Sequence, residues 1–380
     1  MKRPSHLWLI PAAAVLLLLV SASASAQAPT SPPLALASGA GGAVFTMSNA
    51  VTGNSVLAYA IGPGGALVPA GHFGTHGTGT GSSLADQGAL VLTSDHRYLL
   101  VVNAGDNTIT EFAVHAPSAG HPILSFVDRV ASRGIGPVSL TVHDAFVYVL
   151  NAGNATVPGN IAGFLLADHG LLLPLPGSRQ PLSTSAPTGP AEVAFNPAGT
   201  VLVVTEKTTS LIDTYPVNFR GIAQAPVVTP SNGSTPYGFA FGRGGSLIVS
   251  DAAIGALSSY SVARDGQLTV VSGSVPDGQA APCWVAVAGS YAFTSNAHGA
   301  TITSYHVGAG GTLSVAVDVA AATGAADTDL AIGGSHGQYL EVYDAGAAEL
   351  QEFRIGAGGT LTPLYAVFSL PAAAEGLAAF

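Results

Sequence analysis

Seven times along the chain an apolar strand ends in Asn, Asp or Glu, turns through small residues, and resumes as a strand carrying Tyr or Phe. The copies are MSNAVTGNSVLAYAI (47–61), VVNAGDNTITEFAV (101–114), VLNAGNATVPGNIAGFLL (149–166), VTEKTTSLIDTYPV (204–217), VSDAAIGALSSYSV (249–262), TSNAHGATITSYHV (294–307) and VYDAGAAELQEFRI (342–355). Their polar positions, Asn49, Asn103, Asn151, Glu206, Asp251, Asn296 and Asp344, fall 45 to 55 residues apart. A period of that length is the mark of a repeat architecture, because one unit cannot bury its apolar face alone.

A further apolar run precedes most units: GALVL (88–92), PVSLTV (137–142), PAEVAF (190–195), PYGFAF (236–241), PCWVAV (282–287) and TDLAI (328–332). A glycine turn and a fourth strand come after each unit, most plainly in the repeated GAGGTL at 308–313 and 356–361. Four short antiparallel strands per repeat are the content of one propeller blade. The glycines supply positive φ for a tight hairpin, read here as joining the outer strands of neighbouring blades. The first blade lacks an inner run, and EGLAAF (375–380) is an inner run with nothing after it. The expected fold is therefore all-β, a seven-bladed propeller over 40–380 closed by the C-terminal strand, with an open solenoid as its rival. Closure removes the exposed sheet edges.

The start of the chain reads differently. MKRPSH, the apolar run LWLIPAAAVLLLLV and SASASA have the order of a secretory signal peptide over 1–26. A retained anchor is the alternative, although the run is short for a span of ~20 residues. Residues 27–39 are expected to be disordered, and the product to be secreted, extracellular or periplasmic. Losing Lys2 and Arg3 takes the net charge from −10 to −12 and leaves Lys207 as the sole lysine. Such a surface repels nucleic acid and anionic lipid. Cys283 is the only cysteine, so no intramolecular disulfide can form. A monomer is expected, with no membrane span after cleavage.

In a propeller the inner strands line a channel whose mouth forms the usual ligand site. Aligning them puts Glu192, Gly238, Trp284 and Asp329 at one register, with Ala89, Ser139 and Leu377 in the other blades. Hairpin geometry is expected to bring Glu206 close to Glu192, with Asp329 across the channel. These carboxylates read either as a base pair for catalysis or as wet channel lining. Trp284 reads as a platform for a sugar ring or as packing. Asp251 is a second candidate substrate contact, and the seven-fold polar position otherwise reads as turn chemistry. His72 and His76 have a metal-like spacing with no third ligand nearby, so no metal and no cofactor are expected. Cys283 reads as an inert buried thiol.

The repeats GPAEVAFNPAGTVLVVTEKTTSLIDTY (189–215) and DTDLAIGGSHGQYLEVYDAGAAELQEFRIGAGGTLTPL (327–364) resemble the lactonase family of seven-bladed propellers, which includes the bacterial 6-phosphogluconolactonase type and the carboxymuconate-lactonizing type. YVTN-like repeats share the blade formula. The resemblance implies hydrolysis or formation of a lactone without metal or nucleotide. It implies Glu206 or Glu192 as base and Asp329 as an orienting partner. The family's Pro-Arg-His is Pro190-Ala191-Glu192 here, and its Arg-Asp is Thr328-Asp329, so the guanidinium and imidazole groups are missing. The expected substrate is a sugar or organic-acid lactone. The alternative is a non-catalytic propeller binding a carbohydrate, a cell-wall component or a protein.

Overall fold

A computed structural model describes residues 42–380 apart from 116–121, 186, 325 and 327. The segments read as signal peptide and N-terminal tail lie outside the described residues. The described residues form seven sheets of antiparallel strands, one per repeat, arranged as a ring of blades. The inner strands are Glu375–Ala379 in blade 1, Leu90–Leu92 in blade 2, Pro137–His143 in blade 3 and Pro190–Phe195 in blade 4. Blades 5 to 7 contribute Pro236–Phe241, Pro282–Ala288 and Thr328–Gly333. In blade 3 the outer edge is broken into Leu172–Pro174 and Gln180–Pro181, both paired with Asn160–Leu166. Among the described residues no helix is long and apolar enough to cross a membrane.

The strand from the end of the chain completes blade 1, as the divided repeat demands. Val44 pairs with Ala379 and Phe45 with Ala378. Ala43 and Phe380 exchange backbone hydrogen bonds of 3.2 and 3.1 Å. Phe45 and Met47 are fully buried against Ala378 and the residues of blade 2. On the other side of the closed blade, Tyr59 and Leu57 pack with Tyr343 and Leu350 of blade 7. The closure is thus held by apolar contact on both faces as well as by the ladder.

The GAGG turns lie elsewhere than expected. Ala309–Gly311 joins the third and fourth strands of blade 6, and Ala357–Gly359 does the same in blade 7, so each hairpin stays within one blade. Gly310 and Gly311 sit at φ +71° and +91°, consecutive left-handed positions that only glycine adopts at little cost. The reason is the handedness of a tight antiparallel connection, which two such residues match.

The seven-fold polar position lies at the end of the second strand, or two residues past it for Asn49, and bonds the third strand or a following loop. Asn103 Nδ2 donates to Thr110 Oγ1 at 2.9 Å, and Asn296 Nδ2 to Thr303 Oγ1 at 2.9 Å. Asn49 Nδ2 donates to the Ser82 carbonyl at 2.8 Å. These bonds satisfy groups buried under the loops, where an orphaned amide costs ~1–3 kcal/mol.

Candidate functional site

Four inner strands begin with proline: Pro137, Pro190, Pro236 and Pro282. In each, the register with the second strand slips within the next three residues. The slip releases backbone groups from the ladder and turns them toward the channel. There they meet the segment 82–88, SSLADQG, which leads into the inner strand of blade 2.

Gln87 is the hub of that segment. Its Nε2 donates to the carbonyls of Val285 at 2.9 Å and Phe239 at 3.2 Å, and its Oε1 accepts the Val285 N–H at 2.9 Å. The Gln87 N–H reaches the Ala191 carbonyl at 3.0 Å, and Ser139 Oγ donates to the Gln87 carbonyl at 2.6 Å. Trp284 Nε1 donates to the Asp86 carbonyl at 2.7 Å, and Lys207 Nζ to that of Ala85. Glu375 accepts the Leu84 N–H at 3.1 Å. The segment therefore ties blades 1, 3, 4, 5 and 6 together across the channel, plugging it near the start of the inner strands.

Beyond the plug the channel opens into a cavity of about 440 Å³ on the side where the inner strands end. Gln87, Glu192 and Asp329 form its floor, and Val91, Thr141, Ala194, Ala286, Ala331 and Ala379 line its wall. No Lys or Arg is among the lining residues. His96 stands at the rim, stacked on Phe380 with ring centroids 4.7 Å apart.

The two floor carboxyls are nearly closed off from bulk solvent. Glu192 Oε2 accepts the Phe239 N–H at 2.7 Å, yet burial, reinforced by Asp329, holds its pKa well above the ordinary carboxylate range. Asp329 Oδ1 accepts the Leu330 N–H at 2.8 Å, while Oδ2 is buried with no hydrogen-bond partner among the described residues. Burial raises Asp329 to about 8, against the pull of the Leu330 and Leu377 N–H groups. Asp86, in the plug, is 1% exposed with both carboxyl oxygens unpartnered. Burial raises it well above its usual value; Glu375, Asp329 and Glu192 add to the rise and Lys207 opposes it.

The other sequence candidates are placed apart from this floor. Glu206 and Glu192 lie on paired strands, where Glu206 faces Pro190 and Glu192 faces Thr205, but their side chains share no partner. Glu206 accepts the Ser183 N–H at 3.0 Å, Ser183 Oγ at 2.5 Å and Thr209 Oγ1 at 2.6 Å, and so anchors the connection between blades 3 and 4. Adjacent strand positions project to opposite faces, so backbone proximity did not become side-chain proximity. Asp251 is buried among serines, accepting Ser258 Oγ at 2.5 Å and Ser274 Oγ at 3.4 Å, with burial raising it to about 6. Trp284 is 1% exposed and packs on Tyr237 with centroids 5.2 Å apart, which leaves it no free face for a sugar. Cys283 is buried.

Sequence reasoning missed Asp86, Gln87, Lys207 and Glu375. Asp86 and Gln87 immediately precede an aligned inner run, and Glu375 lies two residues before the aligned Leu377. Extending the alignment by three residues toward the start of each inner run marks three of the four.

No protein-family model matches the chain, and no curated protein matches it. Solved structures do. A Bacteroides fragilis protein assigned as a 6-phosphogluconolactonase is 18% identical over 91% of this chain and 99% of its own, with a TM-score of 0.66. The periplasmic gluconolactonase of Pseudomonas aeruginosa is 17% identical over 88% of this chain and 98% of its own, with a TM-score of 0.64. A Lactobacillus plantarum protein aligns with a TM-score of 0.65 at 14% identity, over 90% of this chain and 99% of its own. At these identities the match is one of fold, and the chain has a lactonase-like seven-bladed propeller fold.

Proposed function

We propose that this protein hydrolyses a small, uncharged lactone in the channel cavity, with Asp329 as general base and Glu192 as general acid. The observation that carries the reading is the pair of carboxyls on the floor of a 440 Å³ cavity, with Asp329 Oδ2 buried and unpartnered. Asp329, ionising near pH 8, takes a proton from the attacking water as the new C–O bond forms at the lactone carbonyl. Glu192, held protonated by burial, donates to the ring oxygen as the acyl–oxygen bond breaks, giving the hydroxy acid. The names of two similar structures, a 6-phosphogluconolactonase and a gluconolactonase, support the substrate class.

Charge narrows the substrate further. A phosphorylated lactone calls for Arg or Lys, and the cavity wall carries neither. The wall is mostly alanine, leucine and valine, which suits a neutral ring. Export is part of the proposal, supported by the signal-like order of residues 1–26 and by the periplasmic setting named for one similar structure. A panel of unphosphorylated sugar and acyl lactones, followed by proton release at constant pH, tests the reading. Hydrolysis of at least one, with kcat lowered ~10²–10⁴-fold in Asp329→Asn, is expected. Flat traces with every lactone sink it, and then the same cavity serves a binding propeller.

A further inference from the structure

Each third strand carries an aromatic residue, and in blades 2, 4, 5, 6 and 7 the residue just before it lies against a turn glycine of the next blade. From blade 1 to blade 7 the preceding residues are Ala58, Glu111, Gly163, Thr214, Ser259, Ser304 and Glu352. In blades 4 and 5 the side chain is a hydroxyl that donates to a turn glycine of the following blade. Thr214 Oγ1 donates to the Gly266 carbonyl at 2.6 Å, and Ser259 Oγ to the Gly311 carbonyl at 2.6 Å. The Ser304 hydroxyl of blade 6 lies against Gly359, where an added Cβ would be 2.8 Å from Oγ.

Glu111 and Glu352 hold the same place in blades 2 and 7. A Cβ on Gly170 would lie 2.8 Å from Glu111 Oε1, and one on Gly65 would lie 2.0 Å from Glu352 Oε1. Both turn glycines have φ near +90°, as Gly266 and Gly311 do. Both glutamates are fully buried, and among the described residues no oxygen of either accepts a hydrogen bond. In blades 4 and 5 the group at this place bonds the carbonyl of the turn glycine, an acceptor that an ionised carboxylate could not bond. A carboxylic acid carries one O–H donor and resolves the conflict.

We propose that Glu111 and Glu352 are proton-dependent latches between blades, each donating its carboxyl proton to the turn of the next blade as Thr214 and Ser259 donate their hydroxyl protons. The surroundings favour the neutral form. Glu111 faces Asp128 across the strand pair, with Tyr98, Asp168 and His169 around the Gly170 turn. Glu352 faces Glu341 on one side and Tyr365 on the other, with Arg354 two residues along its own strand. Glu341 is itself fully buried with both oxygens unpartnered. The turn Pro63–Gly65 brings no charged residue.

Burial, with Asp128 adding, raises Glu111 to about 9, and burial raises Glu352 to about 7 against the pull of Arg354. Burial and Glu352 together raise Glu341 well above its ordinary value. The ordinary glutamate value is 4.5. The folded state therefore binds protons that the unfolded state has lost, and stability falls as pH rises from about 4.5. The Glu352 contribution runs out near pH 7 and that of Glu111 near pH 9.

The test is the thermal midpoint of the full chain between pH 5 and 9, with Glu111→Gln, Glu352→Gln and their combination. The parent midpoint is expected to fall steadily across that range. Each glutamine keeps an N–H donor without titrating, so the double variant should lose measurably less than the parent, the remaining loss belonging to the other buried carboxyls, Glu341, Asp86, Glu192 and Asp329 among them. Parallel profiles for parent and double variant overturn the proposal. Should glutamine prevent folding, Glu352→Ser supplies the hydroxyl that donates in blade 5 and should flatten the profile between pH 5 and 7. Infrared spectra of the folded parent at pH 6 should show protonated-carboxyl absorption that weakens in each single variant. An unchanged band in both would equally overturn the proposal.

Discussion

Gln87 Oε1 occupies the space a side chain on Gly238 would need: a Cβ there would stand 2.2 Å from that oxygen and 2.7 Å from the Cys283 carbonyl. The plug and the glycine are one feature. Gly238 shares the register of Glu192, Trp284 and Asp329, and its lack of a side chain is what admits the glutamine.

Gly238→Ala is therefore an overpacking change at a position surrounded by backbone. A loss of about 1–3 kcal/mol is expected, read as a lower urea midpoint with an unchanged slope. Gln87→Ala should cost a similar amount, since it strands the Val285 N–H in a buried place. Stability equal to the parent in both would show that the plug does not fasten the blades.

If Asp329 is the base, kcat/KM for a lactone should rise with pH and level off above about 8, where the carboxyl is ionised. Asp329→Asn should remove that ascending limb together with most of the rate. A profile unchanged in shape, with activity retained, would assign the base elsewhere.

Glu206 separates the two readings of the carboxylates. Its three accepted hydrogen bonds anchor the link between blades 3 and 4. Glu206→Ala should lower stability by about 1–3 kcal/mol while activity per folded molecule stays at the parent level. A large fall in kcat with stability intact would return Glu206 to the chemistry.

Removing 375–380 takes the inner strand out of blade 1 and exposes the apolar faces of Phe45 and Met47. The expected product is an aggregating chain, read by light scattering and by loss of a cooperative thermal transition. A folded, soluble truncation would contradict the role assigned to the closure.

The blades were legible because each strand carries its own period-two pattern, and the division of blade 1 was plain from a missing inner run. Glu192 and Asp329 were found for the same reason: they lie on aligned inner strands facing the channel. Glu206 lies beside Glu192 in the ladder as expected, but its hydrogen bonds run to Ser183 and Thr209, because one residue of register decides which face a strand-end side chain takes. The plug escaped because residues 82–88 have no pattern of their own. Their position depends on register slips after Pro137, Pro190, Pro236 and Pro282, which no local motif announces. The latches were hidden for a different reason: a glutamate before an aromatic looks solvent-facing until the neighbouring blade covers it.

Thr46 Oγ1 reaches the carbonyl of Glu375, 329 residues later in the chain. During synthesis the first blade must therefore wait, three-stranded, while the other six emerge from the ribosome. Native assembly of the ring cannot finish before residues 375–379 are made, and its most vulnerable interval is the one just before they arrive.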